Sequence, residues 1–599
     1  MNAVPFLAQQ ADELAGGSAI AEWHPLVILL SVVAGIMLLL IVRGAPGDHR
    51  SAVARFVLRM PNQLAKLTGM PAWAATAWAG TLGGLVIAAY GFFTDVAYHV
   101  AYGRDETLFT APHTAIFVGV CLIAASAAAG ILVANLTGAR HGTRLSGIQV
   151  PWSLIPLVVL GSGAVAGFGI DEVWHAQYGV DVTMWSAPHM LMILGAALSS
   201  TGAWFVLAEG GVRPGTSRRA TALHAVTAMT VLVALFAPLG EFDFGVPQFQ
   251  QLYHPVLVLI ASAAALVAVR LVLGRGWTLG VLAIAWVAGN LDTALLAGSA
   301  PVETRDSAIL LGSAVVVEVV ALLVGTRRPV RFAVLAGLGV STLGLATEWW
   351  WNSQAHQPWT TSLLPDVLVV GIPAAVAAAV VAAAYAGAVL GRPGLVSRRF
   401  LAVALLVVGL ALAVPFPRTV GDVAVQISVE DQGDGMALVH AQLDPPDAAE
   451  DARWFYAGAW QGGGNTVAHM QPLGEGRYVA EEPIEVHGPW KAVLRLHVGS
   501  DMMAAPIRMP ADPLFDLEEI PLEDRAMAFE AETRYLLRET NDGPPALAVA
   551  VRLLFVALAA AWLAAMCNGG RRLAARGEHD AGPEAPDAPP VTATLTRSG

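Results

Sequence analysis

The stretch that decides the reading of this chain is Asp171–His189, DEVWHAQYGVDVTMWSAPH. Seventy-six residues upstream stands DVAYHVAYGRDETLFTAPH, Asp95–His113, and the two match without a gap at nine of nineteen positions. Each copy places an Asp at i, a His at i+4 and a second His at i+18. On a helix, i and i+4 share a face, so Asp95 with His99 and Asp171 with His175 each form one ridge. Tyr-Gly and Ala-Pro in between predict a turn, with Pro112 and Pro188 opening the next helix. His113 and His189 then fold back against the first helix. Two imidazoles and one carboxylate converging from a helical hairpin make a three-ligand metal set with open positions.

Apolar runs surround both copies. The chain has 599 residues, of which 56% are hydrophobic and only 13% charged, an unusual balance for a water-soluble domain. Thirteen runs are long enough to cross a bilayer as helices, at roughly 25–43, 73–98, 111–136, 152–175, 187–208, 219–240, 253–273, 277–297, 307–325, 331–351, 365–390, 399–416 and 547–567. Gln9, Gln10, Asp12 and Glu13 ahead of the first run argue against a cleavable signal peptide. Two cysteines, Cys121 and Cys567, offer neither a disulfide framework nor a CxxC site. The formal charge of −12 lies mainly in the C-terminal part, and nothing points to nucleic acid.

Basic residues cluster in alternate loops: Arg50, Arg55, Arg59 and Lys66; Arg140 and Arg144; Arg213, Arg218 and Arg219; Arg327, Arg328 and Arg331; Arg571 and Arg572. The positive-inside rule then places the N-terminus outside, the C-terminal tail in the cytoplasm and both Asp/His hairpins at the outer ends of their helices. The expected architecture is a mainly α, polytopic helix bundle over 1–417, built from repeated hairpins in the cell or inner membrane. Short alternating segments (VAVQISV, ALVHAQL, RWFYAGAW, KAVLRLHV) over 418–546 predict an extracytoplasmic β-sandwich, with an acidic helical collar from Phe515 to Thr540. A last span at 547–570 and a disordered tail at 571–599 complete the chain.

Two further polar sets look like drifted copies of the hairpin. In one, Glu241 and Asp243 close a helix and His254 opens the next. In the other, Glu348, Asn352 and Asp366 hold the i, i+4 and i+18 places, with His356 in the loop. These are read either as a further polar site or as caps and structural hydrogen bonds. For the two full sets the structural reading is helix-end residues bonding one another. Packing alone would tolerate Asn, Gln or Ser there, so two complete sets at identical spacing favour metal. Glu318, mid-span, is either a proton relay or a paired core carboxyl. Asp105 and Asp181 read as loop caps or as partners of a ligand His. The Trp349–Trp351 run, Trp174, Trp185 and Trp359 read as interfacial belt, or as pocket lining. In the β-domain His440, His469, Met470, His487, His497, Met502, Met503 and Met509 are soft-ligand candidates or ordinary core. Two His and a carboxylate suit copper, iron or zinc better than calcium or magnesium.

The D-x3-H-x13-H spacing, on the end of one membrane helix and the start of the next, resembles the copper motifs in the C subunit of the particulate methane and ammonia monooxygenases. The β-domain is loosely similar to cupredoxin domains and to small periplasmic sandwiches of the FixH/YtkA type (GEGRYVAEEPIEVHGPWKAVLRLHVG). The resemblance implies copper at Asp95, His99 and His113 and at Asp171, His175 and His189. It further implies O2 activation toward a small apolar or amine substrate from the membrane lipid, in a homo-oligomer or with other membrane subunits. The alternative is a protein that transports or delivers copper or zinc without catalysis.

Overall fold

The computed structural model describes residues 52–104, 109–140, 142–179, 183–299, 306–392 and 394–581. The expected span at 25–43, Asp105 and Asp181 lie outside the described residues. Nine described helices are long and apolar enough to cross a membrane, which makes the chain an integral membrane protein.

In order, α1 is Ala72–Tyr102, α2 Ala111–Leu136, α3 Leu154–Tyr178, α4 Ala187–Glu209, α5 Arg218–Leu235 and α6 Tyr253–Leu273. Next come α7 (Trp277–Ser299) and α8 (Leu311–Val324). Then follow α9 (Pro329–Asn352, with a π turn at Val340–Gly344), α10 (Leu364–Val389), α11 (Arg398–Ala413) and α12 (Pro545–Ala581). Two expected spans are short as helices: α8 has 14 residues and α11 has 16. The last helix runs on through Arg571 and Arg572 to Ala581, past the point where a tail was expected to begin. Trp73, Trp204, Phe205 and Phe332 are fully buried within the bundle, near the helix ends opposite the two Asp/His/His sets.

The domain between α11 and α12 differs from the expected two-sheet sandwich. Its ten strands are β1 (Ala424–Gly433), β2 (Met436–Asp444), β3 (Trp454–Trp460), β4 (Asn465–Gly474), β5 (Arg477–Ala480), β6 (Ile484–Glu485), β7 (Lys491–Val498), β8 (Asp501–Arg508), β9 (Arg525–Ala528) and β10 (Glu530–Ala531). They form one connected antiparallel sheet in the order β9-β1-β2-β5-β4-β3-β7-β8-β10, with β6 on β2. Strand β4 bends, pairing through Asn465–His469 with β3 and through Met470–Gly474 with β5. The segment 525–531 pairs with β1 at one end and β8 at the other, so it closes the sheet into a barrel-like form. That pairing replaces the expected helical collar, of which only the turn Thr533–Leu536 is α-helical. Alternate inward residues such as Val425, Ile427, Val439 and Leu494 make its core.

The β-domain docks on helix ends. The last carbonyls of a helix lack intrahelical partners, and here the β-domain supplies donors for them. Gln461 N donates to Val100 O at 3.2 Å and Gly463 N to Ala101 O at 2.8 Å, while Asn541 N reaches Tyr178 O at 2.6 Å. The two helices so capped, α1 and α3, carry the paired Asp-x3-His motifs.

Candidate functional site

Local sequence sets each hairpin. Helices α1 and α3 stop at Gly103 and Gly179, whose φ values of 88° and 81° are open to glycine. Helices α2 and α4 are capped by Thr110 and Ser186, whose hydroxyls accept from the backbone N–H of His113 and His189. Pro112 and Pro188 stand second in these helices, one place later than the sequence implied. The hairpins are pinned by glycines. A Cβ on Gly91 would lie 2.7 Å from Ile116 N and 2.9 Å from Pro112 O; one on Gly119 would lie 2.5 Å from Ala88 N. In the second hairpin Gly167 meets Met192 N at 3.0 Å and Gly195 meets Leu160 O at 3.0 Å. Gly91 and Gly167 each stand four residues before the Asp, and Gly119 and Gly195 six after the second His. This extension of the motif was available in the sequence as a shared spacing, and small residues let membrane helices approach closely.

The close approach brings each triad together. Asp95 Oδ1 lies 3.2 Å from His113 Nε2 and 3.5 Å from His99 Nε2. Asp171 Oδ1 lies 3.2 Å from His189 Nε2 and 3.8 Å from His175 Nε2. Within each set the three donor atoms all fall within 4.8 Å of one another. Ligands held about 2.0–2.1 Å from a tetrahedral ion sit about 3.3 Å apart, so both sets have the size of a metal site.

Proton bookkeeping makes the point more sharply. His99 Nδ1 is 2.7 Å from the Gly103 carbonyl, and His189 Nδ1 is 2.6 Å from the Thr183 carbonyl. A carbonyl only accepts, so both Nδ1 atoms donate, and in the neutral ring Nε2 keeps its lone pair. Those lone pairs point at carboxylate oxygens. Both Asp Oδ1 atoms are buried, with an Nε2 3.2 Å away in each set, from His113 and from His189. Acceptor facing acceptor is repulsive unless a cation stands between them, either a metal ion or a second proton on the imidazole.

Glu241 belongs to the second triad's support. It is buried and accepts from Thr183 Oγ1 at 2.9 Å, Met184 N at 3.0 Å and Gln248 N at 3.2 Å. It thereby fixes the loop whose Thr183 carbonyl orients His189. Sequence reasoning put Glu241 in a separate set with Asp243 and His254, but His254 accepts from Trp359 Nε1 at 3.1 Å and stacks on Phe242. Asp243 contributes its carbonyl to Asp306 N at 2.6 Å. The fourth set is likewise dispersed. Glu348 receives Ile309 N and Leu310 N, His356 bonds Asp306 at 2.6 Å, and Asp366 pairs with Arg453. Among the described residues only the two Asp/His/His groups have metal-site geometry.

Glu318 is a paired core carboxyl, 2.9 Å from Arg270 Nε and accepting from Thr278 Oγ1 at 2.9 Å. Trp359 is buried rather than in a lipid belt. In the β-domain Met502, Met503 and Met509 are buried. His469 reaches the His356 carbonyl, His487 the Gly435 carbonyl, and His440 lies 3.8 Å from Glu430. His497 donates from Nδ1 to Asp501 O at 2.9 Å and accepts from Gln251 N at 3.1 Å, which ties the domain to the bundle.

Both triads line one cavity of about 1180 Å³ that runs from the β-domain into the bundle. Phe117, on the helix of His113, and Phe168, just before Asp171, meet at 4.9 Å between ring centroids. Comparison with protein-family models, curated proteins and solved structures finds no match. The likeness to the membrane monooxygenases therefore rests on the motif residues alone.

Proposed function

We propose that this protein is a copper-dependent membrane oxidoreductase of the monooxygenase type, acting on an apolar substrate at the Asp95/His99/His113 and Asp171/His175/His189 sets. The observation that carries the reading is the pair of Asp/His/His sets, each with its three ligand atoms within 4.8 Å of one another, lining one shared cavity. Copper in such a ligand set supplies one-electron chemistry toward O2. The chain's own residues do the rest. Each Asp offsets the charge of the ion, and the Gly103 and Thr183 carbonyls hold the ring tautomers. The β-domain, through Tyr456, Trp460 and Gln461, forms one end of the cavity.

Below the triads the neighbouring side chains are Leu85, Val120, Ile123, Ala164 and Ala196, which pack as one apolar cluster. Glu318 is engaged by Arg270 and Thr278. Both observations favour chemistry at a closed-end site over passage of an ion, which would require continuing polar groups. The loop charges support an extracytoplasmic position for the triads.

Metal analysis of the purified full chain, after loading with Cu or Zn, tests this beside His99→Ala and His175→Ala. Each variant is expected to lose about one equivalent, and the copper-loaded wild type to consume O2 when given a reductant. A folded wild type that binds no metal would overturn the reading. Metal binding without O2 consumption would leave a metal-handling protein.

A further inference from the structure

We infer that the substrate of this centre is a long lipid-soluble chain, drawn sideways from the bilayer and threaded past the triads with its tail in the bundle. The inference rests on the proposed function for its chemistry, though not for the binding itself. A cavity of about 1180 Å³ lies at or beyond the upper end of pockets that enclose drug-sized ligands, roughly 300–1,000 Å³. A small gas or amine would leave it almost empty.

The lining changes character along its length. At the β-domain end stand Thr183, Glu241, Asp243 and Arg495; at the other end stand Leu85, Val120, Ala196 and Ala197. Leu85 comes ten residues before Asp95 on the same helix, which is about 15 Å along the axis. An extended chain advances about 1.2 Å per bond, so the well below the first triad accommodates about a dozen carbons. Apolar walls of this kind do not hold ordered water, and an apolar ligand is their natural occupant.

The mouth is placed to receive such a molecule. Trp286 and Leu291 on α7 border the cavity and remain 39% and 61% exposed. They open it at the flank of the bundle, beside Asn290, Asp292 and Thr293 of the same helix, which also line it. A chain that partitions into the bilayer can reach the triads without crossing water.

The test uses the full chain in nanodiscs. A bromoalkyl quencher of Trp286 fluorescence, with Trp286→Phe as blank, is displaced by 1-alkanols of about six to sixteen carbons. Referred to the free alkanol concentration in the aqueous phase, affinity is expected to rise about fourfold per methylene, the ~0.8 kcal/mol of a CH2 taken out of water, and to level off once the well is full, near twelve carbons. Ala197→Phe should move the plateau to chains several carbons shorter, and Leu85→Ala to longer ones, with metal content unchanged in both. The two variants push in opposite directions, so misfolding of one leaves the other decisive. Displacement that is absent, or has no chain-length plateau, or a plateau that neither variant moves, would overturn the inference. His99→Ala and His175→Ala, which remove metal ligands, should still bind the chains with a chain-length plateau. Chain binding in a protein that takes no metal would therefore sink the proposed function while sparing this one.

Discussion

At the scale of single residues, the site is governed by where two protons sit. His99 and His189 each give an Nδ1 proton to a backbone carbonyl, and this leaves Nε2 as the atom that would bind a metal. Glu241 acts one step further out, through the Thr183 hydroxyl and the Met184 N–H. Removing such a support costs metal affinity about 10- to 100-fold. Glu241→Ala should therefore weaken the Asp171/His175/His189 site by that factor and leave the Asp95/His99/His113 site at wild-type affinity. Glu241→Gln, which keeps one acceptor oxygen, should recover part of the loss. Metal titration resolving two binding steps would show this, and equal weakening of both steps would contradict it. The role of Glu241 was not legible in the sequence: its partners lie 57 and 58 residues away, and a buried acid near a His invites a ligand reading first.

At the scale of elements, the hairpin is the unit. The i, i+4, i+18 spacing contains the whole candidate set because it follows from helical periodicity plus one loop of fixed length. The glycines that let the helices close were equally visible as spacing, but they carry no chemistry and so draw no attention. Gly91 abuts backbone atoms, Ile116 N and Pro112 O, which cannot swing aside as a side chain can. Gly91→Val should force α1 and α2 apart, at a cost of about 1–3 kcal/mol for overpacking. The metal equivalent of the first triad should be lost and that of the second retained. Retention of both equivalents would show that the hairpin tolerates the separation. The drifted sets were misleading at this scale for a physical reason. Carboxylates at helix ends meet backbone N–H groups readily, as Glu348 does with Ile309 and Leu310, so their spacing alone does not gather them into a site.

At the scale of the whole molecule, the β-domain and the bundle share one cavity, and the joint between them is itself sensitive to pH. The barrel-like closure was hidden because it depends on 525–531 pairing with strands about a hundred and about thirty residues back, beyond any local pattern. His497 stands at this joint. Burial drives its pKa down from 6.5 to about 3; the Asp501 carbonyl opposes that shift, and the charges of Arg453 and Arg495 reinforce it. The neutral ring is required by geometry too, since Nδ1 donates to Asp501 and Nε2 must accept from Gln251 N. A group whose folded pKa lies below its unfolded one binds protons preferentially in the unfolded chain, so stability falls as pH drops. The loss begins near pH 6.5 and continues down to about 3, at about 1.4 kcal/mol per unit. From pH 7 to pH 5 the docked β-domain should lose about 2 kcal/mol from this residue alone. In His497→Gln an amide oxygen can still accept from Gln251 while nothing titrates, so thermal unfolding of the variant should be flatter over that range by this amount. Parallel pH profiles for the two proteins would show that the imidazole is not what couples the domains to acid.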